Sequence, residues 1–357
     1  METKNTKMDF SNQTVVIGID VHKRQWKVSL RNNRMELKTF SMNPSAEELH
    51  NHLSKNYPGA NYKSVYEAGF CGFEIHRKLT ELGIENIVVN PGDVPTRNKE
   101  RSYRNDKIDS RKLARELESQ TINGIYIPGQ EQEELRSLNR LRQQLVKDQT
   151  RIKNRIKGLL LYYAKSIPDN SEMTHWSGKF IKYIEDIKFH TETGKQCLET
   201  YITDLREKRE KITEVLKKLR KALMGSRHEA IIKNLCSVPG VSFITAITLY
   251  TELMDIKRFS NTDKLCSFVG LTPSVSSSAE HEVILGITHR HNKYLRNLLI
   301  ESAWTAVRTD PALTEKFGKF LARMGKQKAI IRIAKKLLCR ISFVWKNNKS
   351  YEMSKKK

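Results

Sequence analysis

The apolar residues of this chain follow two different periods, and the change from one to the other divides it. In the first third, short apolar or alternating runs are spaced by helical stretches. "TVVIGID" (Thr14 to Asp20) and "WKVSLR" (Trp26 to Arg31) predict neighbouring strands. "KSVYEAG" (Lys63 to Gly69) and "ENIVVN" (Glu85 to Asn90) predict two more, with helices before and after the first of them. Strands alternating with helices predict an α/β sheet domain over residues 10–127. From Glu131 the period lengthens: Leu135, Leu138, Leu141, Leu145, Ile152, Ile156 and Leu159 recur at three, four or seven, one face of a long amphipathic helix. A second long helix is expected from Glu199 to Leu223, with a break around "SIPDNSE", so residues 128–227 form a helical arm suited to coiled-coil pairing. The rest, 228–347, reads as helical. "IIKNLCSVPGVSFITAITLYTEL" (Ile231 to Leu253) has the form helix, Pro-Gly-Val turn, helix, as in helix-hairpin-helix modules that offer backbone N–H groups to phosphate. Three core helices follow further on.

Length and charge narrow the class. A chain of 357 residues exceeds what one core usually supports, so at least two cores are expected. There are 64 Lys plus Arg against 40 Asp plus Glu, a formal net charge of +24, which implies a polyanionic partner. The charge concentrates on the first arm helix, where Arg140, Arg142, Lys147, Arg151, Lys153, Arg155 and Lys157 are expected to face phosphates. No apolar run reaches the roughly 18 residues of a membrane span, and the first residues lack the layout of a signal peptide. No membrane partner and a cytoplasmic protein are expected. The five cysteines are scattered and never form a C-x-x-C pair, which argues against a disulfide framework or a zinc knuckle.

Four carboxylates carry the candidate chemistry. Asp20 and Glu67 each end a predicted strand before a chain reversal, and ligands of open α/β sheets gather beyond such carboxyl ends. In "RNDKIDSRKLAREL", Asp106 and Asp109 stand three apart at the start of a helix, on one face. Converging acids repel unless cations neutralise them, and two magnesium ions per site, held by carboxylates, would resolve the conflict at a phosphodiester.

A serine run, "SVSSSAEHE" within Gly270 to Arg296, reads as a polar loop leading into a His- and Arg-rich helix start. Serines alone identify no nucleophile, because solvated turns are equally serine-rich. Resemblance adds to this. "VIGIDVHK", "YEAGFCG" and "NDKIDSRKLA" resemble the first domain of the DEDD transposases of the insertion-sequence one-ten class, related to the pilin-gene DNA invertases. "VPGVSFITAITLYTELMDIKRFSNTDKLCSFVGLTPS", with "THRHNKYLRNLLIESA", is similar to their C-terminal transposase domain.

The resemblance implies a RuvC-like (RNase H-like) first domain with Asp20, Glu67, Asp106 and Asp109 on its four metal-binding acids. It implies a nucleophilic serine after "GL-x-P", which falls on Ser278 with Ser277 beside it. It further implies an RNA-guided recombinase acting on donor and target DNA, with a structured guide RNA from the element. Homo-oligomers from dimer to tetramer would build each site from the acids of one protomer and the serine of another, in a bacterial cytoplasm and at the nucleoid when acting. Arg290, Asn292 and Arg296 match the family pattern as candidate phosphate contacts. Two departures stand out. Ser278 is followed by Ala279, Glu280 and His281 where the family has glycines and a basic residue, so the loop is expected to differ in shape or to move the nucleophile to Ser277. Arg104-Asn105 replaces the usual Lys-Thr before Asp106. The rival readings are a RuvC-like nuclease that cuts with water, and a basic nucleic-acid-binding protein that has lost its chemistry.

Overall fold

The apolar run Thr14–Val21 forms β1, the middle strand of a five-stranded sheet. The computed structural model describes residues 10–95, 105–278 and 281–353, with side chains described throughout except at 275–278 and 281–285. The chain falls into two compact units, Met1–Ile127 and Pro128–Lys357.

In the first unit the strand order is β3-β2-β1-β4-β5, where β2 is Trp26–Asn32, β3 Met35–Met42, β4 Asn61–Glu67 and β5 Glu85–Val89. β2 runs antiparallel to β1 and β3 to β2, while β1, β4 and β5 are parallel. Val15, Ile17 and Ile19 of β1 pack on one face with Trp26, Val28 and Leu30, under α1 (Ala46–Asn56) and α2 (Glu74–Glu81). The other face carries Val65 and Val89, against Leu113 of α3 (Asp106–Glu118). Burial on both faces is why β1 reads as a continuous apolar run. The sequence reading missed β3, which joins β2 through Asn33 and Arg34, both at positive φ, as two-residue hairpin turns require. It is an edge strand with Met35 67% exposed, so it carries no apolar signature.

Gly18 places α3. A Cβ there would lie 2.1 Å from the Ser110 carbonyl oxygen and 2.5 Å from the Ala114 nitrogen, so only glycine lets the helix lie directly on β1. Two flanking bonds fix its direction: Ser29 Oγ to Ser110 Oγ at 3.1 Å, and Arg31 Nε to Glu118 Oε2 at 2.7 Å.

The second unit begins with α4 (Gln130–Tyr162), then α5 (Gly178–Glu185) and α6 (Glu192–Leu223). Ile152, Ile156 and Leu160 late in α4 share a core with Leu198, Ile202 and Leu205 early in α6. Leu135 early in α4 shares another with Val215, Leu219 and Leu223 late in α6, so the two helices run antiparallel. That second core also contains the helices that follow: α7 (Glu229–Cys236), α8 (Phe243–Leu253), α9 (Thr262–Val269), α10 (Arg296–Thr309), α11 (Pro311–Leu321) and α12 (Lys326–Asn347). Where the sequence predicted two domains meeting near 227, the arm base and the C-terminal helices therefore form one unit. Residues Thr245 to Leu253 of α8 are all buried, as a helix at the centre of a bundle must be. The Pro239-Gly240 turn before it packs on α10, since a Cβ on Gly240 would lie 2.3 Å from the Ser302 carbonyl oxygen. Among the described residues no helix is long and apolar enough to cross a membrane.

Candidate active site

Strand alternation puts Asp20 on the same face of β1 as Gly18, and Glu67 on the same face of β4 as Val65. Both therefore look toward the side covered by α3, at the carboxyl ends of adjacent parallel strands, one residue beyond the Ile19–Tyr66 pair. The first turn of α3 reaches the same end, with Asn105 as its N-cap; the Asn105 side chain accepts a hydrogen bond from Lys107 N at 3.0 Å. Asp106 and Asp109 lie in that turn, where the positive end of the helix dipole favours carboxylates.

The tightest group among the described residues is Asp20, His22 and Asp106, whose ligand atoms all lie within 4.8 Å of one another. His22 Nε2 stands 3.3 Å from Asp20 Oδ2 and 3.6 Å from Asp106 Oδ2. Asp109 sits beside this group with its Oδ1 3.1 Å from the ammonium of the nearly buried Lys112. Glu67 closes β4 outside the tight group. Burial holds the Asp20 carboxyl above its ordinary value; His22 pulls it down, while Asp106 and Asp109 push it further up. Hard oxygens under mutual repulsion, with an imidazole nitrogen beside them, fit a small divalent cation. Of the four acids singled out in the sequence, Asp20 and Asp106 come together, and His22, which the sequence reading passed over, lies beside them one residue past the end of β1.

The serine segment is not the loop the sequence suggested. Pro273–Ser278 is a strand, β6, paired antiparallel with β7 (His281–Ile287), and Ser277 pairs with Glu282 and Ser278 with His281. Ala279 and Glu280 lie outside the described residues, as does Arg104, and so do the side chains of Ser277 and Ser278. The base of the hairpin is firmly tied. Gly270 ends α9 in the left-handed region at φ +85°, and a Cβ on it would lie 2.3 Å from His291 Cβ and 2.4 Å from the Arg296 guanidinium. Thr288 N donates to the Thr272 carbonyl at 3.0 Å, and the Arg296 guanidinium to the Thr288 carbonyl.

Three residues expected at phosphates are engaged inside the second unit instead. Arg140 donates two hydrogen bonds to Glu252, at 2.7 and 2.8 Å, and lies 4.6 Å from the centre of the Tyr294 ring. Asn292 donates to the same carboxylate at 3.1 Å and accepts from Tyr294 N and Leu295 N ahead of α10. Arg296 is 8% exposed beneath the hairpin base. For Arg140 and Asn292 the physical reason is Glu252, a carboxylate on the buried helix α8, which needs cations and donors around it. Arg142 is half-buried, and burial lowers its pKa. Lys153 lies over Trp176, 5.5 Å from the ring centre. Arg151, paired with Asp148 at 2.7 Å, and Arg155 and Arg290 are at the surface. Arg140→Ala is expected to lower stability to urea by about 3 kcal/mol, because it leaves a buried carboxylate without its guanidinium. It should not alter the salt dependence of DNA binding, whereas Arg155→Ala should reduce that slope by about 1.

Comparison with known proteins places this geometry. Residues 17–164 match the IS110-class DEDD model, described as a transposase, and residues 232–318 match the transposase IS116/IS110/IS902 family. A putative transposase of Sinorhizobium fredii, y4rJ, is 30% identical over 304 residues, covering 77% of this chain and 74% of its own. The transposase for insertion sequence element IS1111A of Coxiella burnetii is 29% identical over 272 residues, 74% of this chain and 73% of its own. That of IS1533 from Leptospira borgpetersenii is 28% identical over 252 residues, 69% and 72% respectively. The five-stranded mixed sheet with α3 across it is consistent with an RNase H-like DEDD domain. With its acids gathered at one end of that sheet and both family models matched in order, the chain belongs to the IS110-class family of DEDD transposases.

Proposed function

We propose that this transposase is an RNA-guided DNA recombinase of a mobile insertion element, cutting and rejoining strands through Ser278 with a magnesium site held by Asp20, Glu67, Asp106 and Asp109. The observation that carries the reading is the meeting of Asp20 and Asp106 across β1 and the first turn of α3, in a chain of this family. DEDD transposases use divalent metal, generally magnesium. When bound, the metal offsets charge on the phosphate and activates the attacking oxygen. Ser278 Oγ bonds to phosphorus as the bond to the bridging sugar oxygen breaks. Its proton passes to a carboxylate of the acid cluster, and the departing oxygen takes one from solvent. The phosphoserine link conserves the energy of the phosphodiester, and attack by a sugar hydroxyl of the second DNA reverses the step.

Sequence choice resides in base pairing by the element's structured RNA, while a protein of net charge +24 grips the backbones of RNA, donor and target. The antiparallel helices α4 and α6 serve as a coiled-coil arm through which protomers assemble as dimers and a tetramer, one supplying acids and another the serine. The test is strand exchange between labelled donor and target duplexes by the full chain with the element's RNA and magnesium. Exchange should vanish on adding EDTA and on omitting the RNA. Exchange without RNA would remove guidance from the reading, and cleavage that survives EDTA would remove the metal site.

A further inference from the structure

His22 stands outside the four-acid pattern, yet among the described residues it joins Asp20 and Asp106 in one group, with ligand atoms all within 4.8 Å of one another. It follows β1 by one residue and Asp20 by two, so it projects to the same side of the sheet, toward the first turn of α3. Its Nε2 is 3.3 Å from Asp20 Oδ2 and 3.6 Å from Asp106 Oδ2. The second spacing exceeds a good N–H···O hydrogen bond, which ends near about 3.2 Å. Two ligands on one ion with bonds of about 2.1 Å stand about 3.0 Å apart at a right angle and about 3.4 Å apart in a tetrahedron. Both spacings are therefore close to those of neighbours in one coordination shell. The group is also accessible, with His22 half exposed and Asp106 65% exposed, so an ion and a phosphate oxygen can reach it from solvent. The nearby cation, Lys112, is turned to Asp109 and leaves Asp20 and Asp106 to His22.

We propose that His22 is a nitrogen ligand of the Asp20–Asp106 metal site and gives that site a preference for first-row transition cations, Mn2+ among them, over Mg2+. The inference rests on the reading of Asp20 and Asp106 as metal ligands. Magnesium takes oxygen ligands and keeps its waters, so it gains little from an imidazole. First-row transition ions accept nitrogen with increasing strength from Mn2+ to Cu2+. Mn2+, the weakest of that series, is the strictest probe.

The experiment is titration of the full-length protein with Mn2+, followed by electron paramagnetic resonance, with electron spin echo envelope modulation to detect a directly bonded 14N. The native protein should bind Mn2+ with histidine-type nitrogen modulation. In His22→Ala, checked for folding by circular dichroism, the modulation should disappear and Mn2+ affinity should fall by about tenfold or more. Mg2+ affinity, read by competition, should change by less than about threefold. His22→Gln should lose the nitrogen signal in the same way. Asp20→Asn should lose binding of both ions. Mn2+ bound at Asp20 without nitrogen modulation, or a His22→Ala protein with an unchanged ratio of Mn2+ to Mg2+ affinity, would overturn the role of His22 alone. Mn2+ binding that ignores Asp20→Asn, or no Mn2+ binding, would overturn the metal site and the inference with it.

Discussion

Asp20→Asn should leave the protein folded and bound to DNA while lowering strand cleavage by about a thousandfold or more. The substitution keeps the shape of the side chain and removes its charge. Asp20 is the acid held by the sheet itself, on the face of β1 that Gly18 opens to α3, and it is the one in contact range of both His22 and Asp106. Without it, the first turn of α3 has no carboxylate opposite it on β1 with which to share an ion. Stability should move the other way. Burial and the two aspartates of α3 disfavour the ionised form of Asp20, so in the absence of metal the neutral amide should raise the thermal midpoint or leave it unchanged. A cleavage assay beside a melting curve reads both effects. Lost cleavage with a lowered midpoint would mean that the substitution had damaged the fold, and retained cleavage would take Asp20 out of the chemistry.

Ser278→Ala should abolish any covalent link between protein and DNA and reduce strand exchange by about a thousandfold or more, as expected for loss of a nucleophile. Ser277→Ala is the informative companion. In the antiparallel ladder Ser277 pairs with Glu282 and Ser278 with His281, so the two substitutions test two successive rungs separately. Loss of the covalent link in Ser277→Ala with retention in Ser278→Ala would shift the nucleophile by one rung. Loss in neither would make the hairpin structural and favour attack by water.

Much of this architecture is legible in the sequence, and the exceptions have physical causes. β1 and α4 announce themselves because burial imposes unbroken apolar runs or strict helical spacing. β3 does not, since an edge strand with exposed Met35 and Leu37 has no face that must be apolar. The serine strand reads as a loop because serine is a weak strand former, and its partner His281–Ile287 supplies the pairing. The meeting of Asp20 and Asp106 was foreshadowed by a strand end and a helix start. The places of Arg140 and Asn292 were not, because a polar residue reads as surface until its partner is known, and Glu252 lies 112 residues from Arg140. The one charged residue in the apolar stretch "FITAITLYTEL" was the available hint, since an acid there must be paired.

Cleavage by a serine of the β6–β7 hairpin under the control of the acid cluster, as proposed, is read directly by trapping the native protein on labelled DNA with RNA and magnesium, digesting it, and locating the attached nucleotide by tandem mass spectrometry. A phosphonucleotide on Ser278, absent when Asp20 is replaced by Asn, is the expected result. Cut DNA with no adduct on any peptide would contradict it.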